Sequence, residues 1–156
     1  MAVRSESRVA IASSVPEVWA YICDVGRWPE WAPTVRECWV DGGAPLQPGS
    51  RVEQRAKGMF GSTHYRAQSV TAVEAPRRLA FAGTMGTSAA RWGMEFEPMG
   101  DTQTEAKMWV EVDLEGVMRA IPERVLGGRI RRVMDQEMAA IKAAVESGTP
   151  GGKKEE

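Results

Sequence analysis

The last third of the chain carries one long apolar stripe at helical spacing, and no other feature limits the fold so severely. Met118, Ile121, Val125, Ile130, Met134, Met138, Ile141 and Val145 recur on one helical face over about 25 positions. A helix of that length cannot bury its stripe on itself. It needs a broad apolar surface built by the rest of the chain. Pro122 suits the first turn of this helix, which leaves Gly116 to Ile121 as a separate turn. Gly127-Gly128 costs about 1 kcal/mol per glycine inside a helix. The pair reads either as a flex point or as a close approach to the covering surface.

The covering surface comes from the residues before the stripe, where the period changes from helical to two. Val35 to Val40, Arg51 to Lys57, His64 to Val73, Arg78 to Thr84, Ala89 to Pro98 and Thr102 to Leu114 read as six strands. The breaks between them are rich in Gly, Pro, Asp and Ser, the residues of hairpin loops. A further strand is expected at Ser7 to Ala12. Ala90, Trp92, Met94 and Phe96 alternate with Arg91, Glu95 and Glu97. Ala106, Met108, Val110, Val112 and Leu114 alternate with Glu105, Lys107, Glu111 and Asp113. One face is therefore apolar and the other wet, as in an antiparallel sheet covered on one side. Trp109 falls on the wet face, against the pattern.

Between the first strand and the rest lie two helical signals. Ser14 is placed to cap a helix with Pro16 and Glu17 in its first turn, and Val15, Val18, Trp19, Ile22 and Cys23 form its buried face. Gly26 is expected to stop it. In Arg27-Trp28-Pro29-Glu30-Trp31-Ala32-Pro33, Pro29 can open a short helix and Pro33 end it. The expected fold is α+β: a seven-stranded curved antiparallel sheet, two short N-terminal helices, and a long C-terminal helix over an apolar cavity. It forms a single domain over residues 1–146, with 147–156 a disordered polar tail.

That order, and the local text, resemble the polyketide cyclase/dehydrase branch of the START-related (SRPBCC, helix-grip) superfamily. The residues that carry the resemblance are Val9-Ala10-Ile11 leading into Ser14-Val15-Pro16-Glu17-Val18-Trp19, then Asp24-Val25-Gly26-Arg27-Trp28-Pro29-Glu30-Trp31, and later Val70 with Ala75-Pro76-Arg77-Arg78-Leu79. The resemblance implies a cavity for a hydrophobic, polyketide- or lipid-like molecule. Its members include aromatase/cyclases, lipid and hormone carriers, and proteins that sequester antibiotics. Their fold therefore leaves open whether this ligand is turned over, carried or sequestered, for self-resistance or otherwise; the remaining alternative is a protein-interaction module that uses the apolar cavity mouth.

A strongly bent sheet leaves space beneath a straight helix unless bulky side chains fill it. The residues expected to meet a ligand there are Trp31, Met59, Phe60, Phe81, Met85, Trp92, Met94, Met108, Val110, Met118, Ile121 and Val125. Nine methionines suit an adaptable lining. Loop parity in a meander puts Gly58 to Ser62, Gly83 to Thr87 and Gly116 to Met118 at one end of the sheet. Their apolar tips read as a lid over the cavity mouth or as a contact in a dimer. Trp28 reads as structural, and Trp31 as either a core seal or a ligand contact. Gln54 and Gln68 are polar handles that can face inward, whereas Arg91, Glu95 and Glu111 face out as cross-strand ion pairs.

The candidates for catalysis are His64 and its neighbour Tyr65. Imidazole titrates near neutrality, but no motif supplies His64 with a second group. The sequence holds no nucleophile elbow, phosphate loop, zinc spacing or dinucleotide fingerprint, so no metal and no cofactor are expected. A net charge of −1 gives no field to recruit nucleic acid. The five arginines from Arg119 to Arg132 are interspersed with Glu115 and Glu123 and followed by Asp135 and Glu137, and they read as a solvated helix face. No apolar run is long enough to span a membrane, and the N-terminus lacks a signal core. A cytoplasmic monomer or homodimer with Cys23 and Cys38 reduced is the expectation.

Overall fold

The computed structural model describes residues 2–57, 62–85 and 88–148, with the side chains of His64, Met85, Val117 and Met118 outside the description. Seven strands form one antiparallel sheet: β1 (Ala2–Ile11), β2 (Val35–Val40), β3 (Arg51–Lys57), β4 (Thr63–Glu74), β5 (Arg78–Met85), β6 (Ser88–Pro98) and β7 (Thr104–Asp113). Their order is β1-β7-β6-β5-β4-β3-β2, so six consecutive strands form a meander and β1 closes onto β7. Register shifts between Val35 and Glu37 and between Val70 and Ala72 mark bulges, which bend the strands that carry them. The result is the expected helix-grip architecture, with α1 (Val15–Cys23) and a 3-10 helix (Val25–Glu30) inserted between β1 and β2, and α2 (Glu123–Glu146) lying across the sheet.

The start of α1 has both halves of a capping box. Ser14 Oγ accepts from the Glu17 backbone, and the Glu17 carboxylate accepts from the Ser14 N–H at 3.1 Å. The helix ends at Cys23, with Asp24 as its cap. Gly26 therefore lies beyond its end, inside the 3-10 helix. That helix also contains Pro29, which the sequence had placed at a helix start. Trp28 locks the joint by donating its indole N–H to the Ile22 carbonyl at 2.8 Å.

Pro122 caps α2 rather than occupying its first turn, and Gly116–Ala120 forms a separate 3-10 turn. This phase puts Leu126, Ile130, Met134, Met138 and Ile141 on the buried side and leaves Val125 46% exposed. The helix runs unbroken through Gly127 and Gly128. Gly127 rests on β1, with Ser5 Oγ donating to its carbonyl at 3.1 Å, while a Cβ at Gly128 would meet nothing. Further along β1, Ser7 donates to Asp135 at 2.5 Å and Lys142 donates to the Ala10 carbonyl at 2.8 Å.

Gly93 explains Trp109. The two residues are directly paired across β6 and β7, and a Cβ at Gly93 would lie 2.8 Å from the Trp109 ring and 2.5 Å from the Leu79 carbonyl. The missing side chain makes a seat for the indole on the outer face, and the Arg4 guanidinium lies 5.2 Å from its centroid. Around it, Arg91–Glu111 at 3.0 Å and Lys107–Glu95 at 3.3 Å are the expected cross-strand ion pairs, partly solvated and of little energetic weight.

Candidate functional site

Between α2 and the sheet lies a cavity of about 390 Å³. Trp28, Trp31 and Trp92 form its aromatic wall. Met108 and Val110 of β7 face it from the sheet, and Ile130 and Met134 face it from α2. The aromatic wall is held by mutual packing. Phe81 and Trp92 stack at 4.3 Å, and Trp28 meets both of them edge-on at 5.5 and 5.6 Å. Trp31 leans on Trp28 at 5.5 Å. Trp92 is further fixed by donating its N–H to Gln68 at 2.5 Å.

One side of the cavity is polar. Gln54, only 4% exposed, accepts from Arg66 Nε at 2.7 Å and donates to Cys38 Sγ at 3.7 Å. Arg66 is exposed along part of its length, yet its neighbours withdraw the guanidinium from water enough to lower its pKa. It stays charged all the same. Across the cavity, α2 contributes Glu137. Burial raises its carboxyl to about 7, against a smaller opposing pull from Arg66. At neutral pH this group both holds and releases a proton. The two cysteines do not share that readiness, since burial pushes each thiol up to about 11. Trp31 lines the cavity, yet its buried Nε1 is the one buried side-chain donor without a partner among the described residues.

Of the residues expected at the site, Trp31, Trp92, Met108 and Val110 line the cavity. Phe81 and Met94 do not reach it; they are buried behind its wall, Phe81 under the Trp92 ring. Ile121 is half-buried against the core ahead of α2 and is not part of the lining. Val125 points to solvent because the phase of α2 is set from Pro122. Tyr65 is 53% exposed and bonds Glu53 and Arg51 on the outer face, which removes it from any chemistry in the cavity. His64 pairs with Ala56 across β3 and β4. Its side chain, those of Met85 and Met118, and the whole of Met59 and Phe60 lie outside the described residues.

The lid reading rested on Gly58 to Ser62, Gly83 to Thr87 and Gly116 to Met118; of these, residues 58–61 and 86–87 and the side chains of Met85, Val117 and Met118 lie outside the description. The strand ends that carry them do share one end of the sheet, since Met85 pairs with Ser88 and Asp113 with Ala89. Two cavity groups were missed. Glu137 was assigned to a solvated face, although it lies three residues after Met134 and four before Ile141 on the buried stripe. Arg66 lies two and four residues before Gln68 and Val70, which puts it on the same, inner face of β4. Both signals were in the spacing; at Glu137 the charge overrode it, and Arg66 was given no role. Among the described residues no group of three metal-ligating side chains comes together, and no helix is long and apolar enough to cross a membrane.

A protein-family model described as polyketide cyclase/dehydrase and lipid transport matches residues 2–146. No curated protein matches the chain. Similar solved structures include a START superfamily protein from Mycobacterium smegmatis, 14% identical, with a TM-score of 0.67 over 96% of this chain and 98% of that one. The di-domain ARO/CYC StfQ from the steffimycin biosynthetic pathway is 13% identical, with a TM-score of 0.73, and is matched over 96% of this chain and 53% of its own. Ara h 8.0201 is 16% identical, with a TM-score of 0.72 over 94% and 99%. At these identities the likeness is one of fold.

Proposed function

The chain belongs to the polyketide cyclase/dehydrase and lipid transport family, and from that premise we propose that it binds a hydrophobic, polyketide-like or lipid-like molecule in the cavity beneath α2. The observation that carries this reading is the cavity itself. Its volume of about 390 Å³ falls in the range of small-molecule sites, and its wall is mainly apolar, with polar groups contributed by both the sheet and α2. Trp28, Trp31 and Trp92 offer flat faces suited to fused rings, and Met108 and Met134 adapt to an irregular outline. Unpaired Cys23 and Cys38 support action in a reducing compartment. Native mass spectrometry of the purified protein against a panel of polycyclic ketones and fatty acids tests the reading. A one-to-one complex that Trp92→Ala weakens at least ten-fold is expected; unaltered binding by that variant sinks it.

A second, catalytic reading has one specific support: Glu137, its carboxyl raised by burial to about 7, and Arg66 line the same cavity. A carboxyl near neutrality can take a proton from an acidic carbon and return it to a departing hydroxyl, and Arg66 can balance the charge that develops on oxygen. Such a site folds a flexible polyketone by shape, excludes water and shuttles protons through aldol closure and dehydration. Product analysis with a tethered polyketone separates this from carriage. Cyclised product that falls at least a hundred-fold in Glu137→Gln supports catalysis, and unchanged substrate recovered from the native protein assigns the cavity to carriage or sequestration.

A further inference from the structure

Gln54 is a buried amide on the inner face of the sheet, and burying an amide is costly unless its groups are bonded. Both ends are bonded here: Oε1 accepts from Arg66 Nε at 2.7 Å, and Nε2 donates to Cys38 Sγ at 3.7 Å. Register explains the contact, because Cys38, Gln54 and Arg66 stand opposite one another across β2, β3 and β4. The amide holds Arg66 at Nε and leaves its Nη hydrogens, a planar set matched to a carboxylate. Those hydrogens have no protein acceptor among the described residues, and Arg66 lines the cavity while remaining exposed. The charges of the lining do not cancel. Arg91 turns its guanidinium onto Glu111 and Asp113 on the outer face, but Arg129 on the rim has no ion pair among the described residues. Against them stands one acidic lining residue, Glu137, which feels Arg66 across the space without reaching ion-pair distance.

Resting on the ligand-binding reading above, we propose that the cavity selects a hydrophobic carboxylic acid, bound as its anion with the carboxylate on the Arg66 Nη groups. Its rings or chain lie against Trp92, Met108 and Met134, as those of a neutral ligand of the same shape would. What separates the two is a charge-assisted contact, stronger than one between neutral groups. Glu137 then faces an anion. Burial already raises its carboxyl to about 7, and a bound anion raises it further, so binding near neutrality draws a proton onto Glu137. Above pH 7 that proton is harder to supply, and the anion binds less tightly. Of the groups around Glu137, Arg66 on β4 and Arg129 on α2 are guanidiniums, which do not titrate near neutrality, and burial puts Cys38 on β2 at about 11. His64 stands two positions before Arg66 on β4, and substitution of Glu137 separates the two titrations.

The test uses the whole chain and two matched pairs, 2-naphthoic acid with 2-naphthamide and decanoic acid with decanamide, titrated by calorimetry. Each amide keeps the shape and the carbonyl and drops the charge. At about pH 6 the acids are expected to bind on the order of ten-fold more tightly than the amides. Arg66→Gln is expected to erase that lead while the amides bind as before. Raising the pH to about 8 is expected to shrink the lead several-fold in the native protein and to leave it unchanged in Glu137→Gln. For the native protein near pH 7, heats compared in two buffers of unlike ionisation enthalpy are expected to show proton uptake with the acids and none with the amides. That measurement decides the matter even where a variant fails to fold. Amides that match their acids, a preference that survives Arg66→Gln, or acids that bind without proton uptake overturn the inference and leave the binding reading standing. A pH effect that persists in Glu137→Gln assigns the proton to His64 and overturns the part given to Glu137. Failure of all four compounds to bind overturns both readings.

Discussion

Where α1 stands between β6 and α2, the layer under the long helix is solid; where the 3-10 helix at Val25–Glu30 takes its place, the layer is hollow. At the solid end Ile11, Val18, Ile22, Phe96, Met138 and Ile141 are each at most 1% exposed, and none of them lines the cavity. Trp19 meets Phe96 edge-on at 6.1 Å and closes the gap between α1 and the sheet. At the hollow end the aromatic side chains stack on one another and leave the space below α2 open. One helix thus rests on a core that supplies stability and on a cavity that supplies function. Substitutions at the two ends should therefore be told apart by what they change.

The largest effect belongs to the solid end. Phe96→Ala removes a buried ring from a close-packed site and should cost about 3–5 kcal/mol in chemical denaturation. Ligand affinity of the fraction that stays folded should hold. A loss below about 1 kcal/mol would mean that the two ends are not different in kind.

Next comes Glu137, at the hollow end. Burial raises its carboxyl from the ordinary 4.5 to about 7 in the folded protein. A carboxyl raised in this way contributes stability that is fully present below about pH 4.5 and is lost as the pH climbs through 7. Above that, the folded chain holds a desolvated carboxylate that only Arg66 partly offsets. Glu137→Gln should therefore match the native protein at pH 4 and exceed it by on the order of 2 kcal/mol at pH 8. Denaturation at the two pH values measures it, and a variant less stable than the native chain at pH 8 would show that the carboxylate is paired, not stranded.

How much of this contrast could be read in the sequence depended on whether side chains followed hydropathy. β2 and β3 have the predicted bounds, Val35–Val40 and Arg51–Lys57, because turn residues close each of them, Asp41-Gly42 after β2 and Gly58 after β3. The first strand was read from Ser7 although it begins at Ala2. Its inner positions include Ser5 and Ser7, which dock α2 by hydrogen bonds to Gly127 and Asp135, so no apolar alternation marks them. The hollow end was legible in its aromatic residues and not in its ions. Trp31, Trp92, Met108 and Val110 were named from pattern, whereas Glu137 sat at inward spacing and was read as part of a solvated charged face, and Arg66, also at inward spacing, was given no role. A cavity tolerates an inward-facing charge that a packed apolar core does not, since ligand or water can meet it. Residues that break the apolar pattern on a buried face are thus the better guide to such a site. Trp109 broke the pattern in the opposite direction, and a glycine on the neighbouring strand accounted for it.

The smallest expected effect sharpens the comparison along α2 itself. Val125 and Val133 are exposed to nearly the same degree, 46% and 45%, yet only Val133 borders the cavity. Exposure of this kind leaves little apolar area to lose, so Val125→Ser and Val133→Ser should each change stability by no more than about 0.5 kcal/mol. Ligand binding should separate them. Val125 lies on the solvent side of the first turn of α2, and its replacement should leave affinity untouched. Val133 lies one turn from Glu137 on the side that faces the opening, and a hydroxyl there meets the ligand's apolar edge, so affinity should fall a few-fold. Equal binding by the two variants would mean that the ligand sits deeper than Val133, against the tryptophans alone. A loss confined to Val125→Ser would place the apolar contact at the start of the helix, where the sequence first put it.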